Sequence, residues 1–233
     1  MRKLVVSEFV SMDGVMQAPG GPDEDPTGGF KFGGWVFPHF DEVCGQALGK
    51  SFGAPFDLLL GRRTYEIFAA HWPHVGADDP IGQRFNQVTK YVATTSKTPL
   101  TWQNSVALHD AARDVARLKQ QDGPVLLTQG SSALLQSLLE ADLIDEFHVS
   151  VFPVILGRGK RLFGKGTNPV GLKLTGSVVS TTGVTINTYV RAGGVKTGSF
   201  ALQDPSKEEL QRRKRLKIEG DNPLPYPGGH ASY

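Results

Sequence analysis

Short apolar runs rich in β-branched residues alternate with helix-like runs along most of this chain. That alternation restricts the possible folds more than any other feature. LVVSEFV (4–10), FDLLL (56–60), KYVATTS (90–96), SVALH (105–109), GPVLLTQG (123–130) and DEFHVSVFPVI (145–155) read as strands. Between them, HFDEVCGQALGKSF (39–52), RTYEIFAAHW (63–72), DAARDVARLKQQ (110–121) and SSALLQSLLEA (131–141) have helical spacing. Pro73 stops the second of these helices, and Asp110 is a candidate N-cap for the third. LKLTGSVVS and GVTINTYVR meet through Thr181-Thr182-Gly183 and read as an antiparallel hairpin. Strands separated by helices predict an α/β three-layer sandwich: a mixed, mostly parallel sheet, helices on both faces, and a C-terminal antiparallel hairpin.

The 233 residues suffice for one domain with extensions, and the formal net charge of +2 gives no reason to expect a protein that coats nucleic acid. Cys44 is the single cysteine, which excludes an internal disulfide and a cysteine-built zinc site. His71 and His74 have no third ligand at a recognisable spacing, so no metal is expected. No apolar stretch approaches spanning length, and the reading is a soluble cytoplasmic protein without a membrane partner. The domain is expected to cover 1–192, with 193–233 a charged and Pro/Gly-rich tail. RRKRLK (212–217) in that tail raises nucleic-acid binding as a rival function, but Glu208, Glu209 and Glu219 flank it, as in a solvated helix.

Two strand-to-helix junctions carry the chemistry. One is Gly61-Arg62-Arg63-Thr64, the other Gln129-Gly130-Ser131-Ser132. A helix start offers unpaired N–H groups and a partial positive charge, glycine lets an anion approach the backbone, and arginine presents a fork suited to phosphate. In open α/β sheets ligands gather at the carboxyl ends of parallel strands, where both junctions fall. Two such sites suit a ligand with phosphates in separate places, as in NADPH. Neither junction matches GxGxxG or the phosphate-loop pattern.

Three further features bear on a site. The loop 18–35, with Trp35 at its end and Phe37 just beyond it, is a candidate cover or wall for a substrate pocket. Arg158, Lys160 and Arg161 form a basic turn able to attract a phosphorylated substrate. Glu8 shares a strand face with Leu4, Val6 and Val10, where a buried charge is costly; it either approaches the cleft or sits at a solvated strand end.

MDGVMQAPG, LLLGRRTYEIF and VLLTQGSSALLQSLLEADLIDEFHVSVFPVILGRGKRLF together resemble the dihydrofolate-reductase-like superfamily, in the branch of the riboflavin-biosynthesis reductase (the RibD C-terminal domain). The resemblance covers residues 2 to 191. It implies an NADPH-dependent reductase of a small heterocyclic or carbonyl substrate. By the same resemblance, Gly61, Arg62, Arg63 and Thr64 bind the 2′-phosphate and adjoining pyrophosphate, Thr94, Thr95 and Ser96 lie beside the adenosine, and Gln129, Gly130, Ser131 and Ser132 cradle the pyrophosphate. Asp13, Gly14 and Val15 would close over the nicotinamide, and Asp41 would match the catalytic carboxylate. Asp41 and Glu42 also read as ordinary acids in a first helical turn. Arg158 lies in a region that the resemblance places near the substrate. A protein that binds NADPH without turning over is the other reading, and the edge of the hairpin suggests a homodimer.

Overall fold

A computed structural model describes residues 1–164 and 167–221. The chain divides into two compact units, Met1–Val195 and Lys196–Tyr233. The first unit contains β1 (Leu4–Ser11), α1 (Glu42–Gly53), β2 (Phe56–Gly61), α2 (Arg62–His71), α3 (Pro80–Gln87), β3 (Lys90–Ala93) and β4 (Ser105–Leu108). It continues with α4 (Ala111–Gln120), β5 (Val125–Thr128), α5 (Ser132–Glu140), β6 (Glu146–Phe152), β7 (Leu172–Val179) and β8 (Thr185–Arg191). The strands form one sheet in the order β4-β3-β2-β5-β1-β6-β8-β7. Strands β1 to β6 pair in parallel, and β8 and β7 close the sheet as an antiparallel hairpin.

The parallel strands lack a polar face because both faces are covered. Leu4, Val6, Leu59 and Leu126 pack against Val115 and Leu118 of α4 and Leu135 and Leu138 of α5. Their strand neighbours Val5, Leu58, Leu60 and Leu127 point the other way, onto Phe52 of α1, Tyr65 of α2 and Phe85 of α3. This is the three-layer arrangement expected from the alternation.

Differences from the expected elements have local causes. The strand expected over 90–96 stops at Ala93, where the Thr94 hydroxyl accepts from the Ser96 N–H at 3.0 Å and turns the chain. Helix α3 is absent from the sequence reading, although Asp79 and Pro80 signal its start: the Asp79 carboxylate accepts from the Ile81 and Gly82 amides, both at 2.9 Å. Asp110 does cap α4, accepting from the Arg113 N–H at 3.1 Å.

The segment between β1 and α1 packs its own small core at the end of the sheet. Val15, Phe30, Trp35 and Val36 meet Phe152 and Val184 there. Gln17 holds the loop together, its side-chain amide donating to the Asp25 and Thr27 carbonyls at 2.9 Å while its backbone carbonyl accepts from the Trp35 indole at 2.8 Å. Gly33 is required by close approach: a Cβ there would lie 2.4 Å from the Gly21 carbonyl oxygen.

The second unit contains α6 (Lys207–Asp221), a solvated helix in which Arg212 and Arg213 both pair with Glu209, at 2.6 and 2.8 Å. The Pro/Gly-rich stretch 222–233 lies outside the described residues.

Candidate functional site

Strands β2 and β5 are neighbours, so the two junctions read from sequence stand side by side at one end of the sheet. They touch directly. The Gly61 N–H donates to the Ser131 hydroxyl at 2.7 Å, and a Cβ on Gly61 would come within 3.3 Å of that side chain. Gly130 and Ser131 both take the left-handed conformation, each with φ +70°, to swing the chain from β5 into α5. A Cβ on Gly130 would press on the Thr64 side chain at 3.1 Å. Small residues at 61, 130 and 131 therefore let the first turns of α2 and α5 abut, and their unpaired N–H groups open on one cavity.

That cavity measures about 800 Å³, within the range of small-molecule sites. Its wall includes Gly61 to Thr64, Thr94 to Ser96 and Gln129 to Ser132, so the structure brings eleven of the sequence-derived cofactor residues together. Phe9, Met16, Val36, Leu108 and Leu134 supply its apolar part, and Pro19, Gly20, Glu24 and Asp25 bring the 18–35 loop to its rim.

The two arginines are not equivalent. Arg62 is held by its own helix and the next loop, donating to Glu66 at 2.6 Å and to the Thr98 carbonyl at 2.8 Å, with the side chain 20% exposed. Arg63 is 59% exposed, and its guanidinium lies 3.4 Å from Asp25. Asp25 also pairs with Lys160 and accepts from the Thr27 hydroxyl. Burial opposes the Asp25 charge, but the Lys160 ammonium and the Thr27 hydroxyl outweigh it and keep the carboxyl below its ordinary range. Asp25 thus ties the loop to α2 and to the basic turn.

Several expected site residues lie elsewhere. Asp41 is outside the cavity wall because its carboxylate is engaged twice. One oxygen caps α1 through the Cys44 N–H at 3.0 Å, and the other accepts from the Thr181 N–H and hydroxyl at 2.9 and 2.7 Å. The Thr181 hydrogen bonds, then that of Cys44, hold it far below the usual carboxylate range, a poor condition for an acid catalyst. The turn Asp13-Gly14-Val15 docks on the 156–162 segment instead of the cavity. Asp13 accepts from the Leu156 and Gly157 amides at 3.0 and 2.9 Å and pairs with Arg161 at 3.2 Å. Despite the opposing cost of burial, its bonds to Ser11, Leu156 and Gly157 bring its carboxyl down to about 2. Gly14 turns the chain at φ +81°, and Val15 is buried in a bridge to Arg161. Trp35 is buried against Phe152, at 5.4 Å between ring centroids, while Phe37 and Arg158 face solvent. Val36 and Lys160, their sequence neighbours, line the cavity instead.

Glu8 is the residue the sequence reading left undecided. It lines the cavity, is 4% exposed, and its Oε1 has no hydrogen-bond partner among the described residues. Burial raises its carboxyl well above the ordinary value of 4.5, the Gly130 N–H offsetting this only in part. Its signal was a lone acid on an otherwise apolar strand face. A second polar group, Ser51–His148–Glu146, was invisible in sequence order: Ser51 Oγ lies 3.4 Å from His148 Nδ1, and His148 Nε2 lies 2.7 Å from Glu146. None of the three lines the cavity, and the set links α1 to β6.

A mostly parallel sheet with helices on both faces, an antiparallel closing hairpin, and a cavity at the carboxyl ends of its strands define a dihydrofolate-reductase-like fold. The chain belongs to the RibD C-terminal domain family, which it matches over residues 2–186. It is 35% identical over 192 residues to the uncharacterised protein YwjB of Bacillus subtilis (strain 168), covering 82% of this chain and 99% of that one. Among solved structures it is similar to a putative riboflavin biosynthesis protein from Shewanella sp. PV-4, with TM-score 0.52, 21% identity, and coverage of 82% of this chain and 99% of that one. It also resembles the dihydrofolate reductase of Enterococcus faecalis solved with NADP(H), with TM-score 0.51, 15% identity, and coverage of 81% and 96%. These two likenesses concern the fold.

Proposed function

We propose that this chain is an NADPH-dependent reductase acting on a C=N or C=O group of a small substrate. The observation that carries the reading is the direct abutment of two helix N-termini on neighbouring strands, with the exposed Arg63 beside them. The residues present fit the cofactor. Gly130, Ser131 and Ser132 open the α5 N-terminus to a pyrophosphate, and the lack of a Cβ at Gly130 lets the Thr64 turn pack beside it. Arg63, Thr64, Thr95 and Ser96 present a guanidinium, hydroxyls and amides to a ribose 2′-phosphate. When bound, NADPH supplies the hydride. The protein's part is to align the substrate against the apolar wall of Phe9, Met16 and Val36, to exclude water there, and to manage one proton.

The test is a pair of measurements. Fluorescence titration should show NADPH binding more tightly than NADH, and NADPH oxidation should be followed against dihydrofolate, a riboflavin-pathway aminouracil, quinones and aldehydes. Absence of NADPH binding would end the proposal. Tight binding with no oxidation would favour the binding-only reading, which draws support from the engagement of Asp41 away from the cavity. A homodimer is part of the proposed assembly, supported by exposed Leu174, Val178 and Val179 on β7, the sheet's edge strand; light scattering tests it.

A further inference from the structure

Glu8 has an environment that a structural residue would not keep. Its strand places it two residues beyond the Val6–Thr128 pair of β1 and β5, level with the turn that opens α5. Its own partner on β6 is Val149, itself buried. A carboxyl in such a place is normally matched by a cation or by several donors, because an unpaired buried polar group costs free energy. Here no cation pairs with Glu8 among the described residues, and Oε1 has no partner. The titratable groups of the cavity wall are Glu24 and Asp25 of the loop, Arg62 and Arg63 of α2, His109 before α4, and Lys160. Arg62 bonds to Glu66 and Thr98, Arg63 and Lys160 to Asp25, and His109 to the Thr94 carbonyl at 3.1 Å. The Glu24 side chain bonds to the Gly20 amide. Each cation therefore has a partner other than Glu8, which leaves Glu8 at the cavity wall with no counter-charge and with one buried oxygen lacking a hydrogen-bond partner.

We infer that Glu8 is the proton donor of the reaction, which rests on the reductase reading proposed above. The atoms balance as follows. As hydride adds to the carbon of C=N or C=O, the π pair moves onto the heteroatom, and the proton of the Glu8 carboxyl joins it there. The resulting Glu8 carboxylate regains a proton from solvent when product leaves. Such a donor selects a substrate that is uncharged at its reacting end, because burial beside Phe9 and Met16 penalises an ion there. Asp41, which the sequence resemblance singled out, has no share in this step.

The variant for the test is Glu8→Gln, which keeps size and polarity but has no acidic proton to give. The first readout needs no substrate: the carboxyl C=O stretch of a protonated acid, seen in infrared difference spectra of wild type minus Glu8→Gln at pH 7. Its presence is expected, and an ionised Glu8 overturns the inference. The second is NADPH affinity by fluorescence titration, expected to change less than about threefold; a larger loss would assign Glu8 to holding the cofactor and overturn its role as donor. The third is single-turnover NADPH oxidation with phenanthrenequinone as acceptor, expected to slow by roughly 10²–10⁴-fold, the range for loss of a general acid. Equal rates in the two proteins overturn the inference while leaving the reductase reading intact. Wild type that fails to bind NADPH overturns the reductase reading itself, and the inference with it.

Discussion

The hydroxyl of Ser131 accepts a 2.7 Å hydrogen bond from the backbone N–H of Gly61, tying the start of α5 to the end of β2. This bond holds the two helix starts against one another. It persists although Ser131 sits at φ +70°, a conformation that costs a non-glycine residue about 1–2 kcal/mol. Ser131→Ala keeps that strain and removes the acceptor, leaving the Gly61 N–H unpaired. It should destabilise the protein by about 1–3 kcal/mol in urea denaturation. Ser131→Gly relieves the strain and should lose less. Ser131→Ala as stable as wild type would show that the bond does not hold the junctions together.

Arg62 and Arg63 should separate in their effects. Arg63→Ala should reduce the preference for NADPH over NADH by roughly 10- to 100-fold, the equivalent of losing about 1.5–3 kcal/mol of charge-assisted bonding to the 2′-phosphate. Arg62→Ala should instead lower the melting temperature, since its guanidinium joins α2 to Thr98. Calorimetric titration of both coenzymes against both variants, with melting curves, decides between them.

The loop over the cavity should loosen in acid. The folded-state Asp25 carboxyl lies below its ordinary 3.8, so its ion pairs stabilise the loop above that pH. Their contribution is lost as pH falls through the lower folded-state value. Asp25→Asn should mimic the acid state at neutral pH, with amide exchange in residues 18–35 roughly tenfold faster or more by mass spectrometry. Unchanged exchange would mean that the packing of Trp35 and Phe30 alone orders the loop.

Glu8 has the opposite sign. Its folded-state carboxyl lies well above 4.5, so the folded protein retains a proton that the unfolded chain releases. Any stability that this group contributes is present below pH 4.5 and is lost as pH rises towards the folded-state value. Glu8→Gln, which has no such proton, should therefore melt progressively higher than wild type as pH rises above 4.5 towards the folded-state value. A difference in melting temperature that stays flat over that window would contradict a buried neutral acid.

Asp41→Ala should act on the fold and not on the site. Loss of the α1 cap and of both bonds to Thr181 should lower the melting temperature by roughly 2–4 °C. The depressed carboxyl makes this contribution present above its ordinary 3.8 and lost at lower pH. NADPH affinity should be unchanged, and a loss of more than about tenfold would return Asp41 to the site.

Local periodicity and junction chemistry determined a good deal by themselves. Apolar runs without a polar face announced buried parallel strands, and Gly-Arg-Arg-Thr and Gln-Gly-Ser-Ser, each following such a strand, marked the helix starts that now share one cavity. These features are local, because a strand's burial and a helix's unpaired amides depend on a few consecutive residues. What side chains do with their charges was decided by the tertiary structure. Whether Asp41 reacts or caps depended on Thr181, 140 residues away, and Arg62 was withdrawn by Thr98, 36 residues on. Glu8 acquired its buried place without a cationic partner from the chain packed around β1. A carboxylate's role follows from which donors and how much water surround it, and chain folding brings those neighbours together from positions the sequence does not order.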